Sequence, residues 1–298
     1  MNFSVNRKAK GEIVFEAVNG VLLIVITAIV LYPLLFTLSA SFSDPKMVTT
    51  GKLILWPVGY NLEAYREVFN NAEIWLGYRN TIIITVLGTA LNLLMTTLGA
   101  YPLSRRDLYG RKVLMVIFTF TMFFSGGIIP IYLVVQKLHL LNNWLSLLLP
   151  GVISTYNLII MRTYFQSSVP YELQEAAFID GCSNTGILIR IILPLSKPII
   201  AVLALYYAVD HWNSYFSAML YIDKRVLYPL QMFLREILVM NQAQNLMDSS
   251  AEEMARRVMR AETIKYSVVV VSSAPMLLIY PFIQKFFVKG VMIGAIKG

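Results

Sequence analysis

Two runs of residues carry side chains whose types and spacing could do chemistry. The first is Tyr206, Tyr207, Asp210, His211, Trp212, Asn213, Ser214 and Ser217, a polar load inside an otherwise apolar segment. An acid near the middle of a membrane segment costs roughly 2.5–3.5 kcal/mol on insertion scales, so Asp210 should face a partner or a water-filled path. Tyr206, Asp210, Asn213 and Ser217 share one stripe at helical spacing. With Trp212 they offer hydroxyl-pairing groups and a stacking surface, the chemistry that holds a sugar. Hydrogen bonding between helices accounts for the same residues equally well. Asn92 and Asn157 fit that second role better. Asp210 and His211 are adjacent and point in different directions on a helix, so they make no acid–base pair. A serine elbow and a zinc motif are absent from the sequence, and Thr49-Thr50-Gly51-Lys52 lacks the second glycine of a phosphate loop. The single cysteine, Cys182, excludes an internal disulfide and a thiolate metal cage, and two histidines, His139 and His211, are too few to suggest a histidine metal site.

The second run is Glu175-Ala176-Ala177-Phe178-Ile179-Asp180-Gly181, followed by Ile191-Ile192-Leu193-Pro194. Pro170 suits a first helical turn, and Glu172 complements the helix dipole there. The helix can run to Asp180 and stop at Gly181, which tolerates a left-handed backbone. Ser183 or Asn184 can cap a second short helix, which should end near Leu193 because Pro194 and Pro198 follow. Leu173, Ala176, Ala177 and Asp180 share a face of the first helix. Alanines leave a shallow surface that another protein can approach closely; an amphipathic helix lying on the membrane would show the same pattern.

The elements that must position these groups follow from composition. The chain has 298 residues, 57% hydrophobic and 14% charged, with mean hydropathy +0.63. Soluble domains carry about 25% charged residues, so this is read as an all-α membrane protein that crosses the bilayer several times. Six stretches are long and apolar enough to span, near 18–40, 80–102, 113–136, 143–165, 198–222 and 266–288. Arg7, Lys8 and Lys10 precede an apolar run longer than the roughly 7–15 residues of a signal peptide. The first span is therefore expected to remain uncleaved, although Leu38-Ser39-Ala40-Ser41 resembles a cleavage site. Ser125-Gly126-Gly127 with Pro130 interrupts the third span, and Pro275 the sixth; these read equally as kinks that bend the spans around a path and as packing kinks. Arg162, near the end of the fourth, is expected to snorkel.

The formal charge of +8 is scattered among apolar spans, which suits membrane orientation better than nucleic acid. Compact basic clusters at Arg7, Lys8, Lys10 and at Arg105, Arg106, Arg111, Lys112 place the N-terminus and the loop 103–112 in the cytoplasm. Six spans return Lys285, Lys289 and Lys297 to that side. Segments 43–77 and 223–265 then lie outside; each is a solvated surface or a docking surface for an external protein. A helix is expected over Ser249–Arg260. The resulting division is a cytoplasmic segment 1–17, a transmembrane domain 18–288 with a cytoplasmic hairpin 166–197, and a cytoplasmic tail 289–298.

Glu175-Ala176-Ala177, Gly181, Ile191 and Leu193-Pro194 stand at the spacing of the cytoplasmic loop motif of ABC importer permeases. With the six-span layout, Trp212-Asn213 and the tail Gly290–Gly298, the chain resembles the carbohydrate-importer branch, similar to the smaller permease of maltose-type systems. It resembles still more the permeases of Gram-positive complex-sugar and lipoprotein-linked importers. That resemblance implies a type I importer fold in the bacterial plasma membrane, with a coupling hairpin (Glu175, Ala176, Ala177, Asp180, Gly181, Leu193, Pro194) docked on a dimeric cytoplasmic ATPase. It implies that this chain binds no cofactor and that ATP and magnesium belong to the partner ATPase. Implied partners are a second homologous permease, an extracellular binding lipoprotein and an oligosaccharide, which a uronate could make acidic. Amino acid, phosphate and metal permeases share the motif, so a non-sugar solute stays open. A secondary transporter is disfavoured because the chain shows no internal repeat.

Overall fold

The computed structural model describes residues 10–243, 264–282 and 284, and every regular element among them is helical. The chain divides into two units, Met1–Asn70 with Ile237–Ser272 and Asn71–Glu236 with Ser273–Gly298.

The first unit is built on α1 (Lys10–Ser41), α2 (Pro45–Thr49) and α3 (Glu63–Asn70). α1 is apolar on every side, and Val14, Val18, Leu22 and Leu34 along it are exposed. A long helix without a polar face presents that surface to lipid. Its C-terminal end is the tied part. The Ser41 hydroxyl lies 2.8 Å from the Tyr65 hydroxyl, Phe42 stacks on Tyr65 at 4.9 Å, and the Asn61 N–H donates to the Phe42 carbonyl at 3.0 Å. Ser39 donates to the Leu55 carbonyl, and Ala40 and Ser41 are fully buried, so the residues resembling a cleavage site sit inside folded structure. Burial pushes the Tyr65 phenol above its ordinary value. Segment 43–77 is therefore not a bare connection: α2 starts at Pro45 with Asp44 accepting from the Lys46 N–H at 2.8 Å, and α3 follows.

The second unit begins with α4 (Ala72–Ser104), a helix of 33 residues capped by Asn71. α5 (Arg111–Phe123) and α6 (Ile128–Lys137) follow, bent by 109° at a break where Gly127 takes φ +83°. The glycines of the third expected span thus break it rather than kink it. Next come α7 (Leu145–Leu148) and α8 (Thr155–Ser168), separated by a turn with Gly151 at φ +72°. This corrects the continuous fourth span expected over 143–165: α8 has 14 residues, short of the roughly 20 a crossing needs. α9 (Tyr171–Ile179), α10 (Asn184–Ile187), a π-turn (Leu188–Ile192) and α11 (Leu193–Leu195) follow, with the chain reversing between α9 and α10. α12 (Lys197–Trp212) leaves the α10–α11 run at 82°. α13 (Phe216–Tyr221) is separate from α12, so the fifth span is also broken. α14 (Leu230–Ala243) occupies much of a segment read as a loop, and α15 (Ile264–Phe282) completes the described helices.

Among the described residues, α1, α4 and α15 are each long and apolar enough to cross a membrane, and two bent pairs make up to five spans. Ser249–Arg260, Arg7, Lys8 and the tail Gly290–Gly298 lie outside the described residues.

α4 is the axis of the second unit. Ala100, Tyr101 and Leu103 on it meet Leu158, Met161 and Phe165 of α8, and Ile199 and Leu203 of α12, in one buried cluster. Two membrane helices gain little from hydrophobicity against each other, so small residues and buried polar bonds must hold them. Gly99 lies against Leu158, and Thr96 and Tyr207 share a buried hydrogen bond of 2.7 Å between α4 and α12. The C-terminal carbonyls of α4 are satisfied from elsewhere. Arg162 Nε donates to Leu103 at 3.2 Å, Gln166 to Ser104 at 3.0 Å, and Arg111 to Arg105 at 3.1 Å. Arg162 therefore caps a helix instead of snorkelling.

Candidate functional site

The hairpin is assembled by short-range rules. α9 follows Pro170, and at its end the Gly181 N–H donates to Phe178 at 3.1 Å and the Cys182 N–H to Ala177 at 2.9 Å. That reversal needs the left-handed φ of +76° at Gly181. Ser183 Oγ then accepts from the Gly186 N–H at 3.2 Å and caps α10. A Cβ at Gly186 would come within 2.7 Å of Cys182 Sγ, so the second arm packs closely on the turn.

One side of the hairpin belongs to the core. Ile187, Leu188 and Ile192 are buried in the α4–α8–α12 cluster, with Ala177, Cys182 and Ile191 packed on it. The other side is open. Glu175, Ala176 and Asp180 are exposed, as are Leu173, Phe178 and, at 85%, Ile179. The four-residue face read from spacing therefore splits, because Ala177 turns to the core while Leu173, Ala176 and Asp180 face out. Leu193 is half-buried and Pro194 exposed at the start of α11. Exposed apolar patches of this kind mark contact surfaces, with a protein or with lipid. Beside it lies a hollow of about 390 Å³ lined by Arg105, Asp107, Tyr171, Glu175 and Phe178. Arg105 grips Asp107 with two bonds of 2.8 and 2.9 Å, which holds the Asp107 carboxyl below its usual range and the guanidinium above its own.

The polar stripe of the fifth span is divided. Tyr206 and Asp210 are exposed on α12 and line a hollow of about 590 Å³ with Val209, Met276 and Tyr280. Trp212 is not a free stacking surface: it is 4% exposed, with its ring 6.2 Å from Tyr78. Asn213 ends α12, its backbone and side-chain N–H groups both reaching Val209 O at 3.1 and 2.8 Å. Ser217 lies beyond the break, half-buried on α13. Among the described residues, no group of three or more His, Cys, Asp or Glu could hold a metal ion.

The sequence assigns Asn92 to hydrogen bonding between helices without naming its partners, and a second polar arrangement escapes it altogether. His211 is buried against α4, its Nε2 2.9 Å from Asn92 Oδ1, while Asn92 Nδ2 donates to Val152 at 3.1 Å. Gly88 and Asn92, one turn apart, were the available signal. At the opposite end of α4 from the hairpin, Arg225 pairs with both Glu73 oxygens, one bond at 2.8 Å, and with Glu236 at 2.9 Å. Asn80 Nδ2 holds the Val226 and Tyr228 carbonyls at 2.8 and 2.9 Å, and Thr81 accepts from the Leu230 N–H at 2.8 Å. These bonds strap segment 225–236 onto α4.

Residues 95–293 match the family described as binding-protein-dependent transport system inner membrane component. The chain belongs to this family. It is thus a permease of an ABC importer, a multi-pass component of the bacterial plasma membrane, and its energy comes from a partner ATPase. The permease is 43% identical over 277 residues to the polygalacturonan/rhamnogalacturonan transport system permease protein YtcP of Bacillus subtilis (strain 168), covering 93% of this chain and 96% of that one. It is 41% identical over 285 residues to protein LplC of the same organism, covering 96% and 95%. A chain in the crystal structure of a bacterial ABC transporter involved in the import of the acidic polysaccharide alginate is 33% identical, with TM-score 0.82 over 96% of this chain and 100% of that one.

Proposed function

We propose that this permease forms half of a translocation path for an acidic oligosaccharide, and that α9–α11 form the coupling hairpin that enters a dimeric cytoplasmic ATPase. The supporting observation is the hairpin itself, with Ile187 and Ile192 fully buried at its base and Glu175, Phe178 and Ile179 exposed on its outer side. A lever needs both a stiff root and a free end. Six crossings in the type I arrangement accommodate this, with α7 and α8 together serving as the fourth. The termini, 1–17 and 289–298, and hairpin 166–197 then lie in the cytoplasm, and 43–77 and 223–265 face the binding lipoprotein. A second homologous permease completes the path.

The relatives named for polygalacturonan and rhamnogalacturonan transport and for alginate import support a uronate-containing substrate. The hollow with Tyr206, Asp210 and Tyr280 supports sugar recognition, since Asp210 can accept sugar hydroxyls and the rings can stack. Asn213 at the end of α12 and Ser217 on α13 extend the polar lining, and Trp212 supports it from within.

The test is uptake by the reconstituted importer, with partner permease, ATPase and binding protein, of an oligogalacturonide and of a neutral oligosaccharide of equal length. ATP-dependent uptake of the acidic one alone is expected. Uptake of the neutral one alone would contradict the substrate class, and uptake without the ATPase would contradict the importer mechanism.

A further inference from the structure

A second hollow, of about 460 Å³, lies beside α9 and is lined by Ser104, Arg106, Arg111, Gln166, Tyr171 and Gln174. Its charge is unbalanced. Arg105 is neutralised by Asp107, but Arg106 has no carboxylate partner among the described residues and lies over the Tyr171 ring at 4.7 Å. Arg111 is half-buried and, among the described residues, bonds only a backbone carbonyl. Gln174 adds a side-chain amide to the lining. Gln174 is 8% exposed, lines the hollow, and hydrogen-bonds to no described residue. Two helices, α5 and α9, also begin here with Arg111 and Tyr171, and neither has a side-chain cap. Uncapped N–H groups at two helix starts add to the field of the arginines.

We propose that this hollow binds a phosphate-bearing anion, either the headgroup of an anionic phospholipid or free phosphate. Arg106 and Arg111 supply charge, and Gln174 donates to a phosphate oxygen. The site lies where α4 ends and α5 begins, at the membrane edge on the hairpin side. The lipid source rests on the proposed cytoplasmic placement of that side, where basic hollows between helices meet anionic headgroups.

The experiment uses the complete purified importer, with phosphatidylglycerol, phosphatidylcholine and inorganic phosphate as probes and native mass spectrometry as the readout. Phosphatidylglycerol should bind in preference to phosphatidylcholine. Each arginine near such a headgroup is worth about 1 kcal/mol, so R106Q/R111Q should weaken binding about 25-fold while R106K/R111K keeps most of it. If inorganic phosphate alone binds and displaces the lipid, the occupant is free phosphate, and the arginine dependence must be the same. Equal binding of phosphatidylglycerol and phosphate by wild type and R106Q/R111Q would overturn the proposal. Loss of the ATPase from R106Q/R111Q with lipid binding unchanged would also overturn it, since the arginines would then serve a subunit contact. E175K should keep the lipid while losing coupling, so failure of the lever and failure of this site are separable.

Discussion

His211 Nε2 lies 2.9 Å from Asn92 Oδ1, and the imidazole fills the space that a Cβ on Gly88 would occupy. Because Asn92 Nδ2 donates to the Val152 carbonyl, its oxygen faces the ring and Nε2 carries the proton. α4, α12 and the turn before α8 are joined by this one chain of bonds. G88A should therefore overpack the contact and destabilise the permease by about 1–3 kcal/mol. Thermal unfolding of the purified importer measures it, and G88A/H211A should recover part of the loss because the second change removes the obstacle.

Asn92→Leu keeps the volume but leaves the Val152 carbonyl and the His211 N–H unpaired. A loss of about 1–3 kcal/mol is expected in the same assay. Asn92→Asp, which retains the acceptor toward His211, should cost less than Asn92→Leu if that bond is the important one.

The strap over α4 allows two kinds of interaction to be compared. Arg225, about half exposed at 51%, bridges Glu73 and Glu236, and exposed pairs contribute about 0.2–1 kcal/mol. Asn80 is fully buried and holds two backbone carbonyls. N80A should therefore destabilise more than R225A, and only the R225A effect should shrink as salt is raised. Unfolding midpoints at low and high ionic strength measure both.

Asp107 is held below its ordinary range by Arg105. A carboxylate with a lowered folded value stabilises above its unfolded value, and the contribution is lost as pH falls through the folded one. D107N should thus unfold earlier than wild type at neutral pH, and the two should converge in strong acid.

The hairpin was legible from sequence because local rules decide it. Gly181 supplies a positive φ and Ser183 a cap, each within a few residues of where it acts, whereas helical backbone runs past Pro194 to Leu195 instead of ending near Leu193. The faces were less legible. Spacing puts Ala177 on an outward face and residue type offers Trp212 for stacking, yet both pack inward, Trp212 against Tyr78 of α4, distant in sequence, and Ala177 against the buried cluster. Hydropathy marked the spans but not their continuity. Residues 213–215 read as helix, and Gly126-Gly127 as a kink, whereas the chain breaks at both. The His211–Asn92 bond was missed because it spans 119 residues.

The central claim is that the hairpin transmits ATPase motion. Gly181 sits at φ +76°, which proline, fixed near −65°, cannot adopt. Glu175 is exposed on the outer side of the hairpin, so E175K changes that surface without disturbing its buried base. The most direct measurement is ATP-driven uptake by proteoliposomes carrying the complete importer with wild-type, E175K or G181P permease, at equal amounts of inserted permease. Uptake should be lost in both variants with the permease still in the membrane. Wild-type uptake by both would contradict the claim.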